Sequence, residues 1–391
     1  MKILFLDQSG NLGGAELCLI DIAKHYRNSC LVGLFADGTF PHLLQQHDIP
    51  VEVLTDRAIQ VRKESGLVKG LSSLGKLAPL ISKVVQLSRD FDLIYANTQK
   101  ALVVGALASA IARRPLVYHL HDILSTEHFS RINLSIAVTL ANRFASLVIA
   151  NSLATQSAFI AAGGRKEITK VVYNGFESDL YKINDSANNK LKETLGVKGK
   201  FLVGHFSRLS PWKGQHILIE ALKHCPEDVT VILVGDALFG EEDYVGNLHQ
   251  QVGELGLENR VKFLGFRSDI VPLMTACDLV IHSSTAPEPF GRVIVEAMLC
   301  GKPVIAAKAG GAVELVETNK TGWLVSPGDP IELANAIANC GQQPQLAATI
   351  GSQARDIASQ RFNLTAIHQQ IDRLLFDLLN SEQTNLKRKF I

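Results

Sequence analysis

With 391 residues the chain is long enough for two ordinary domains, each able to bury its own core. Hydrophobic residues make up 47% and charged residues 20%, which excludes a disordered chain. Lys+Arg 39 against Asp+Glu 38 leaves a formal charge of +1, so no global field favours nucleic acid as a partner.

The opening residues, MKILFLD, enter a strand directly and leave no room for a basic region, an apolar region and a cleavage site. Six cysteines (Cys18, Cys30, Cys225, Cys277, Cys300, Cys340) show no C-x-x-C pair, and most sit in apolar runs. That pattern is expected of reduced core residues in a cytoplasmic protein, not of a disulfide frame or a zinc site. The longest apolar run, Ala101 to Ala112, stops at Arg113-Arg114 and is too short to span a bilayer.

Short apolar, often β-branched runs recur with helical patterns between them, as parallel strands buried on both faces require. In the first half they lie near Ile3 to Asp7, Cys30 to Phe35, Val51 to Leu54, Leu93 to Ala96, Leu116 to His119, Leu147 to Ala150 and Val171 to Tyr173. Alternating βα units predict an α/β fold with a doubly wound sheet, whose strand-ending loops face the ligand crevice. After the first strand, Gly13-Gly14-Ala15-Glu16 allows close backbone approach and opens a helix, although a plain tight turn has the same composition. Asn97-Thr98-Gln99 reads as polar caps for the next helix. In His119-Leu120-His121-Asp122 the alternation sends both histidines to one face, with His121 at the strand end. Between Asp56 and Lys76, Arg57, Arg62, Lys63, Lys69 and Lys76 stand among Gly and Ser. This basic 57–76 stretch is expected to be a solvated loop, or alternatively a basic lip meeting a phosphorylated lipid acceptor or an anionic leaflet.

The polar stretch Asn184 to Lys192 reads as a crossing to a second βα series, with the domain boundary near residue 178. Strands are predicted at Leu202 to Phe206, Val229 to Val234, Val261 to Leu264, Leu279 to His282, Val304 to Ala306 and Trp323 to Val325. Arg208 and Lys213 lie five apart in a loop bent by Pro211, and a guanidinium and an ammonium can grip a diphosphate together. As a bare pair they read first as surface charges. Gly265-Phe266-Arg267 follows the third strand of this half. In Pro287 to Gly301 a turn runs into an apolar helix, so that the N–H groups of Phe290, Gly291, Arg292 and Val293 are expected to point from a helix N-terminus. Glu288 and Glu296 bracket that stretch, and eight helical positions would rise roughly 12 Å. From Pro330 the chain is helical, and Ile367, Ile371, Leu374, Leu375 and Leu378 give the last helix one buried face.

Glu288-Pro-Phe-Gly-Arg-Val-Ile-Val-Glu296, followed by Ala-Met, resembles the E-x7-E signature of the retaining glycosyltransferases of family 4. The resemblance implies the GT-B architecture: two facing Rossmann-like βαβ domains with a ligand cleft between them. An acceptor domain would cover 1–178, with a C-terminal helix of about 363–391 crossing back onto it, and a donor domain 179–362. It implies that Arg208 and Lys213 hold a diphosphate, that Glu288 meets the transferred sugar and Glu296 the ribose, and that His121 bonds the sugar. Gly13 and Gly14 would approach the donor phosphates, Gly265, Phe266 and Arg267 the base, and Phe290 to Val293 the diphosphate. Glu16 and Asn97 would face the acceptor. The Gly310-Gly311 turn resembles the family's G-G-x-x-E turn and is read as a helix start.

The expected reaction is transfer of a hexose, glucose from UDP-glucose as first choice, to a glycan or lipid-linked acceptor, with no metal or other cofactor. Absence of D-x-D at a strand end and of a His/Cys cluster with ligand spacing supports the metal-free expectation. The alternatives are a GDP-mannose-dependent mannosyltransferase, a same-fold epimerase, and a nucleotide-sugar-binding protein without turnover. A nicotinamide dehydrogenase would need G-x-G-x-x-G after the first strand, and Gly10-Asn-Leu-Gly13-Gly14 lacks it.

Overall fold

The computed structural model describes residues 1–55, 67–127, 129–181, 185–238 and 240–388, without the side chains of 67–76, 185–187 and 382–388. The chain forms two compact units, Met1–Gly175 with Leu364–Ile391, and Phe176–Asn363.

In the first unit the strands are β1 (Ile3–Asp7), β2 (Cys30–Leu34), β3 (Val51–Val53), β4 (Leu93–Ala96), β5 (Leu116–Leu120), β6 (Ala145–Ala150) and β7 (Thr169–Val171). They make one parallel sheet in the order β3-β2-β1-β4-β5-β6-β7. Successive residues of β1 point to opposite faces: Ile3 and Phe5 enter one core, Leu4 and Leu6 the other. Both faces are therefore covered, which is why the strands read as unbroken apolar runs. Ile367, Ile371 and Leu375 of the helix Leu364–Arg388 complete the first core at a spacing of four.

The second unit contains β8 (Phe201–Phe206), β9 (Val229–Val234), β10 (Val261–Gly265), β11 (Leu279–His282), β12 (Val304–Ala307) and β13 (Trp323–Val325), in the order β10-β9-β8-β11-β12-β13. Counted from β8 this is 3-2-1-4-5-6, the doubly wound order whose direction reverses between its first and fourth strands. The first sheet reverses likewise between β1 and β4. Ligand crevices open at the carboxyl ends of strands flanking such a reversal.

Two expectations about connecting segments need correction. The basic stretch is not loop throughout, because a helix runs over Leu67–Ser88. Its C-terminal half decides this: Leu80 and Val84 are buried and Leu77, Ile81 and Val85 pack with them, so the helix persists back through Gly and Ser. Arg57, Arg62 and Lys63 lie outside the described residues. The stretch read as a crossing forms the helix Asp185–Thr194 from its second residue on, tied to the second unit by Lys192 on Asp278 (2.8 Å) and by Thr275 on Asn188 (2.8 Å). Among the described residues no helix is long and apolar enough to cross a membrane. All six cysteines are buried and unbridged.

Candidate functional site

In the second unit, the chemistry-bearing residues gather at the carboxyl ends of β8, β11 and β12. After β8 the loop closes on Gly214, whose φ of 73° is left-handed and whose missing Cβ would stand 2.0 Å from the Ser283 carbonyl oxygen. That close approach brings Lys213 beside the segment after β11. Lys213 Nζ lies 2.6 Å from Glu288 Oε2, with both side chains nearly buried. His282 Nε2 is 3.3 Å from the same oxygen, and Ser284 Oγ donates to it at 3.3 Å. Burial alone would raise the Glu288 carboxyl, but the Lys213 charge and the His282 hydrogen bond outweigh it and hold the carboxyl far below the usual carboxylate range.

Beneath this pair, His205 Nε2 lies 3.1 Å from Ser283 Oγ and 3.3 Å from the Lys213 carbonyl oxygen. Burial, then the neighbouring His282 and Lys213, push the His205 imidazole down to about 3, so it is neutral at physiological pH. The Trp212 ring gathers the two basic side chains, with Lys213 Nζ 4.0 Å and the Arg208 guanidinium carbon 5.5 Å from its centroid.

The helix of the E-x7-E stretch starts later than expected, at Arg292, behind a left-handed Gly291 (φ 98°). Phe290 is not on the helix; it is a buried core residue stacked on Phe176 and meeting Phe362 edge-on. The two acids are consequently not separated by eight helical positions: from Arg292 to Glu296 the helix supplies roughly 6 Å of rise, and the rest is loop. That loop is held by the Gly310-Gly311 turn. Glu288 bridges Gly310, the Gly311 N–H donates to the Glu288 carbonyl at 2.7 Å, and a Cβ on Gly310 would stand 2.2 Å from that oxygen. Glu296 Oε1 lies 3.6 Å from Arg292 Nε, and the Arg292 guanidinium covers the Phe176 ring at 4.6 Å. Val293 is half-buried on the same helix. Gly265 ends β10 at φ 62°, Phe266 is 73% exposed, and Arg267 forms a two-pronged pair with Asp269 (2.7 and 2.6 Å).

In the first unit a second cluster forms at the carboxyl ends of β1, β4 and β5. Asn97 is not the helix cap; Thr98 is, accepting from the Ala101 N–H, because Asn97 is turned inward. Its Nδ2 donates to Asp7 Oδ2 (2.7 Å) and to the Ala15 carbonyl (3.1 Å), which leaves Oδ1 to accept from His121 Nε2 at 3.0 Å. Asn97 thus fixes both the orientation and the tautomer of His121, with the proton on Nε2. Gly13 precedes the helix Gly14–Ala23, and a Cβ on it would stand 2.7 Å from the Glu16 carboxylate. Burial raises Asp7, Glu16 and Asp122, and the Asp7 charge raises Glu16 further. His119 is buried with Nδ1 2.9 Å from the Tyr95 hydroxyl, and its ring centroid lies 3.9 Å from that of His121.

The sequence has no His/Cys cluster with ligand spacing, but the fold brings ligand atoms of Cys18, His119 and His121 within 4.8 Å of one another. Sequence spacing hides this because Cys18 arrives from a helix a hundred residues away. Sequence reasoning also missed His205, His282, Ser284 and Trp212. His282 ends β11 and His205 lies one residue before the end of β8, and that position by the crevice was the available signal.

Residues 12–180 match the family described as Glycosyltransferase Family 4, and residues 187–357 that described as Glycosyl transferases group 1. The chain is 68% identical to Anabaena HepE over 96% of its own length and all of that chain, with a TM-score of 0.90 to the HepE structure in complex with UDP-glucose. It is 30% identical to spore coat protein SA of Bacillus subtilis over 52% of its length and 57% of that protein's. It is 27% identical to the N-acetyl-alpha-D-glucosaminyl L-malate synthase of Bacillus anthracis, over 55% of each. The chain therefore spans a little over half the length of these two curated relatives.

Proposed function

The chain belongs to glycosyltransferase family 4, within the group 1 glycosyl transferases and with their GT-B fold, and from that premise we propose that it transfers glucose from UDP-glucose, with retention, to a hydroxyl of a glycan or lipid-linked acceptor in polysaccharide synthesis. One observation carries the choice of donor: a protein 68% identical over 96% of this chain has been crystallised with UDP-glucose.

The residues support the reading in detail. Arg208 and Lys213, gathered on Trp212, supply two cationic groups for a leaving diphosphate. A basic pair of this kind does the work for which other phosphate chemistry uses a divalent ion, so the proposed reaction needs no metal. Glu288, held charged by Lys213 and His282, accepts hydrogen bonds from the transferred sugar's hydroxyls. Glu296 takes the ribose hydroxyls, and Gly265, Phe266 and Arg267 border the base. In the first unit, His121 with its Nε2 proton held by Asn97 is assigned to the transferred sugar, and Glu16 to the acceptor side; Asn97, expected there too, is fully buried with its amide spent on Asp7, Ala15 and His121, and acts by positioning His121. Retention follows from attack on the face the diphosphate leaves, with the departing phosphate taking the acceptor proton, so no protein nucleophile is required. The basic 57–76 stretch is assigned to an anionic leaflet or lipid phosphate, and Glu at Arg62, Lys63 and Lys69 is expected to weaken liposome binding.

The test is release of nucleoside diphosphate from a panel of nucleotide-sugars by the purified protein. UDP from UDP-glucose is expected, unaffected by EDTA. GDP from GDP-mannose alone would replace the donor, and no release together with no calorimetric heat from any nucleotide-sugar would refute the activity.

A further inference from the structure

Cys18, on the helix Gly14–Ala23, and His119 and His121, at the end of β5, bring one sulfur and two imidazoles together, each with a ligand atom within 4.8 Å of the others. One thiolate and two imidazoles are a donor set for a borderline-soft divalent ion, above all Zn2+. The surroundings orient these donors. His119 Nδ1 lies 2.9 Å from the Tyr95 hydroxyl oxygen; with the ring proton on Nδ1 and donated to that oxygen, Nε2 holds the lone pair and is the ring's coordinating atom. That Nε2 is buried and has no hydrogen-bond partner among the described residues, an arrangement that costs free energy unless something else meets it. Asn97 holds the His121 proton on Nε2, which leaves the lone pair on Nδ1. Tyr95 and Asn97 thus stand to the two rings as outer partners stand to metal-bound histidines. The Cys18 thiol donates to Asn174 Oδ1 at 3.3 Å. Donors around a tetrahedral zinc are about 3.4 Å apart, so closure from this arrangement takes side-chain shifts of about an ångström.

We propose that Cys18 Sγ, His119 Nε2 and His121 Nδ1 form a zinc-binding site. Binding exchanges the Cys18 thiol proton for the metal and releases it to solvent, while both imidazoles stay neutral. The consequence for activity rests on the function proposed above: zinc withdraws His121 from the transferred sugar and inhibits turnover. This is an inhibitory site in a reaction that itself needs no metal, so chelators leave the basal rate unchanged and reverse the inhibition.

Cobalt(II) titration of the full chain is expected to give a thiolate-to-cobalt charge-transfer band that Zn2+ abolishes. X-ray absorption of the zinc-loaded wild type is expected to show one sulfur at about 2.3 Å and two imidazole nitrogens at about 2.0–2.1 Å. Cys18→Ser and His119→Gln, which leave the proposed substrate-binding groups in place, are expected to retain turnover and to raise the zinc concentration for half-inhibition at least about tenfold. Absence of the cobalt band, a zinc shell without sulfur, or equal zinc inhibition of Cys18→Ser and wild type would overturn the site. If the variants do not fold, the wild-type absorption spectrum decides by itself. If the protein turns over no nucleotide-sugar, the inhibition arm falls with the proposed function and the two spectra still decide whether zinc binds.

Discussion

Lys213 and Glu288 form a nearly buried ion pair, Nζ to Oε2 2.6 Å, reinforced on the carboxylate side by His282. Proposed roles for the two residues address different parts of one donor, diphosphate and sugar, yet the protein joins them directly. The pairing keeps Glu288 charged in a site whose burial would otherwise neutralise it, and keeps the Lys213 ammonium over the Trp212 ring. In the proposed role, a diphosphate would meet an ammonium already largely buried and positioned, which favours electrostatic stabilisation of the leaving group.

Removing one member of such a pair leaves the other charged and buried. Lys213→Ala is expected to lower turnover at least about tenfold, the scale of one charged hydrogen bond, and to destabilise the second unit by about 3 kcal/mol. Adding Glu288→Gln should recover much of the stability and none of the rate. Denaturant unfolding and donor turnover on the single and double variants check this, and near wild-type turnover in Lys213→Ala contradicts the diphosphate assignment.

His205 makes the second unit sensitive to acid. Its imidazole is held at about 3 in the folded chain, against 6.5 for an ordinary histidine, so the unfolded chain binds the extra proton as pH falls between those values. Its contribution to stability is present above pH 6.5 and is lost on descent to about 3, on the order of 5 kcal/mol in all. Glu288, held below its ordinary value, adds a loss that begins only near 4.5. His205→Gln should flatten the stability profile between pH 6.5 and 4.5 and leave below 4.5 the loss due to Glu288; urea midpoints from about pH 7 to 3 measure it.

Gly310 is expected to tolerate no side chain. Its φ is 60°, and a Cβ would stand 2.2 Å from the Glu288 carbonyl oxygen, so Gly310→Val must displace the Glu288 loop. Because strain falls on the loop and not on the core, activity should drop by at least about tenfold while most of the far-ultraviolet dichroism remains. A variant with normal turnover would show that the Gly310 turn does not position Glu288.

These dependencies explain what was legible in the sequence. Strands such as β9 (VTVILV) were readable because burial on both faces leaves mainly apolar, β-branched residues, and the last helix because Ile367, Ile371 and Leu375 recur every four positions. Residues past strand ends, including Lys213, Glu288 and His121, carry polar chemistry at crevice positions and stand out for that reason. His282 and His205 did not, because His282 closes an apolar run and His205 sits inside one, so each looks like part of it. Gly310 as a brace for Glu288, and Cys18 beside two histidines, are products of tertiary approach over long separations, which no local pattern records. The helix Asp185–Thr194 was missed because a polar surface helix lacks the periodicity that marks a buried one.

Asn97 gives the last test, since three groups depend on one amide. Its Nδ2 satisfies Asp7 and the Ala15 carbonyl, and its Oδ1 accepts from His121. Asn97→Ala is expected to cost about 1–3 kcal/mol by leaving buried partners unmet. Without the hydrogen bond from Asn97, Asp7 loses what opposes the desolvation that already raises it, and its protonation should extend to higher pH. His121, freed from its acceptor, can move the proton to Nδ1 or turn. Turnover should therefore fall by more than the stability loss accounts for at temperatures where the variant is fully folded, with the donor Kd nearly unchanged. Histidine nitrogen chemical shifts report the tautomer directly. A variant whose His121 keeps the Nε2 proton at full turnover would remove Asn97 from its positioning role.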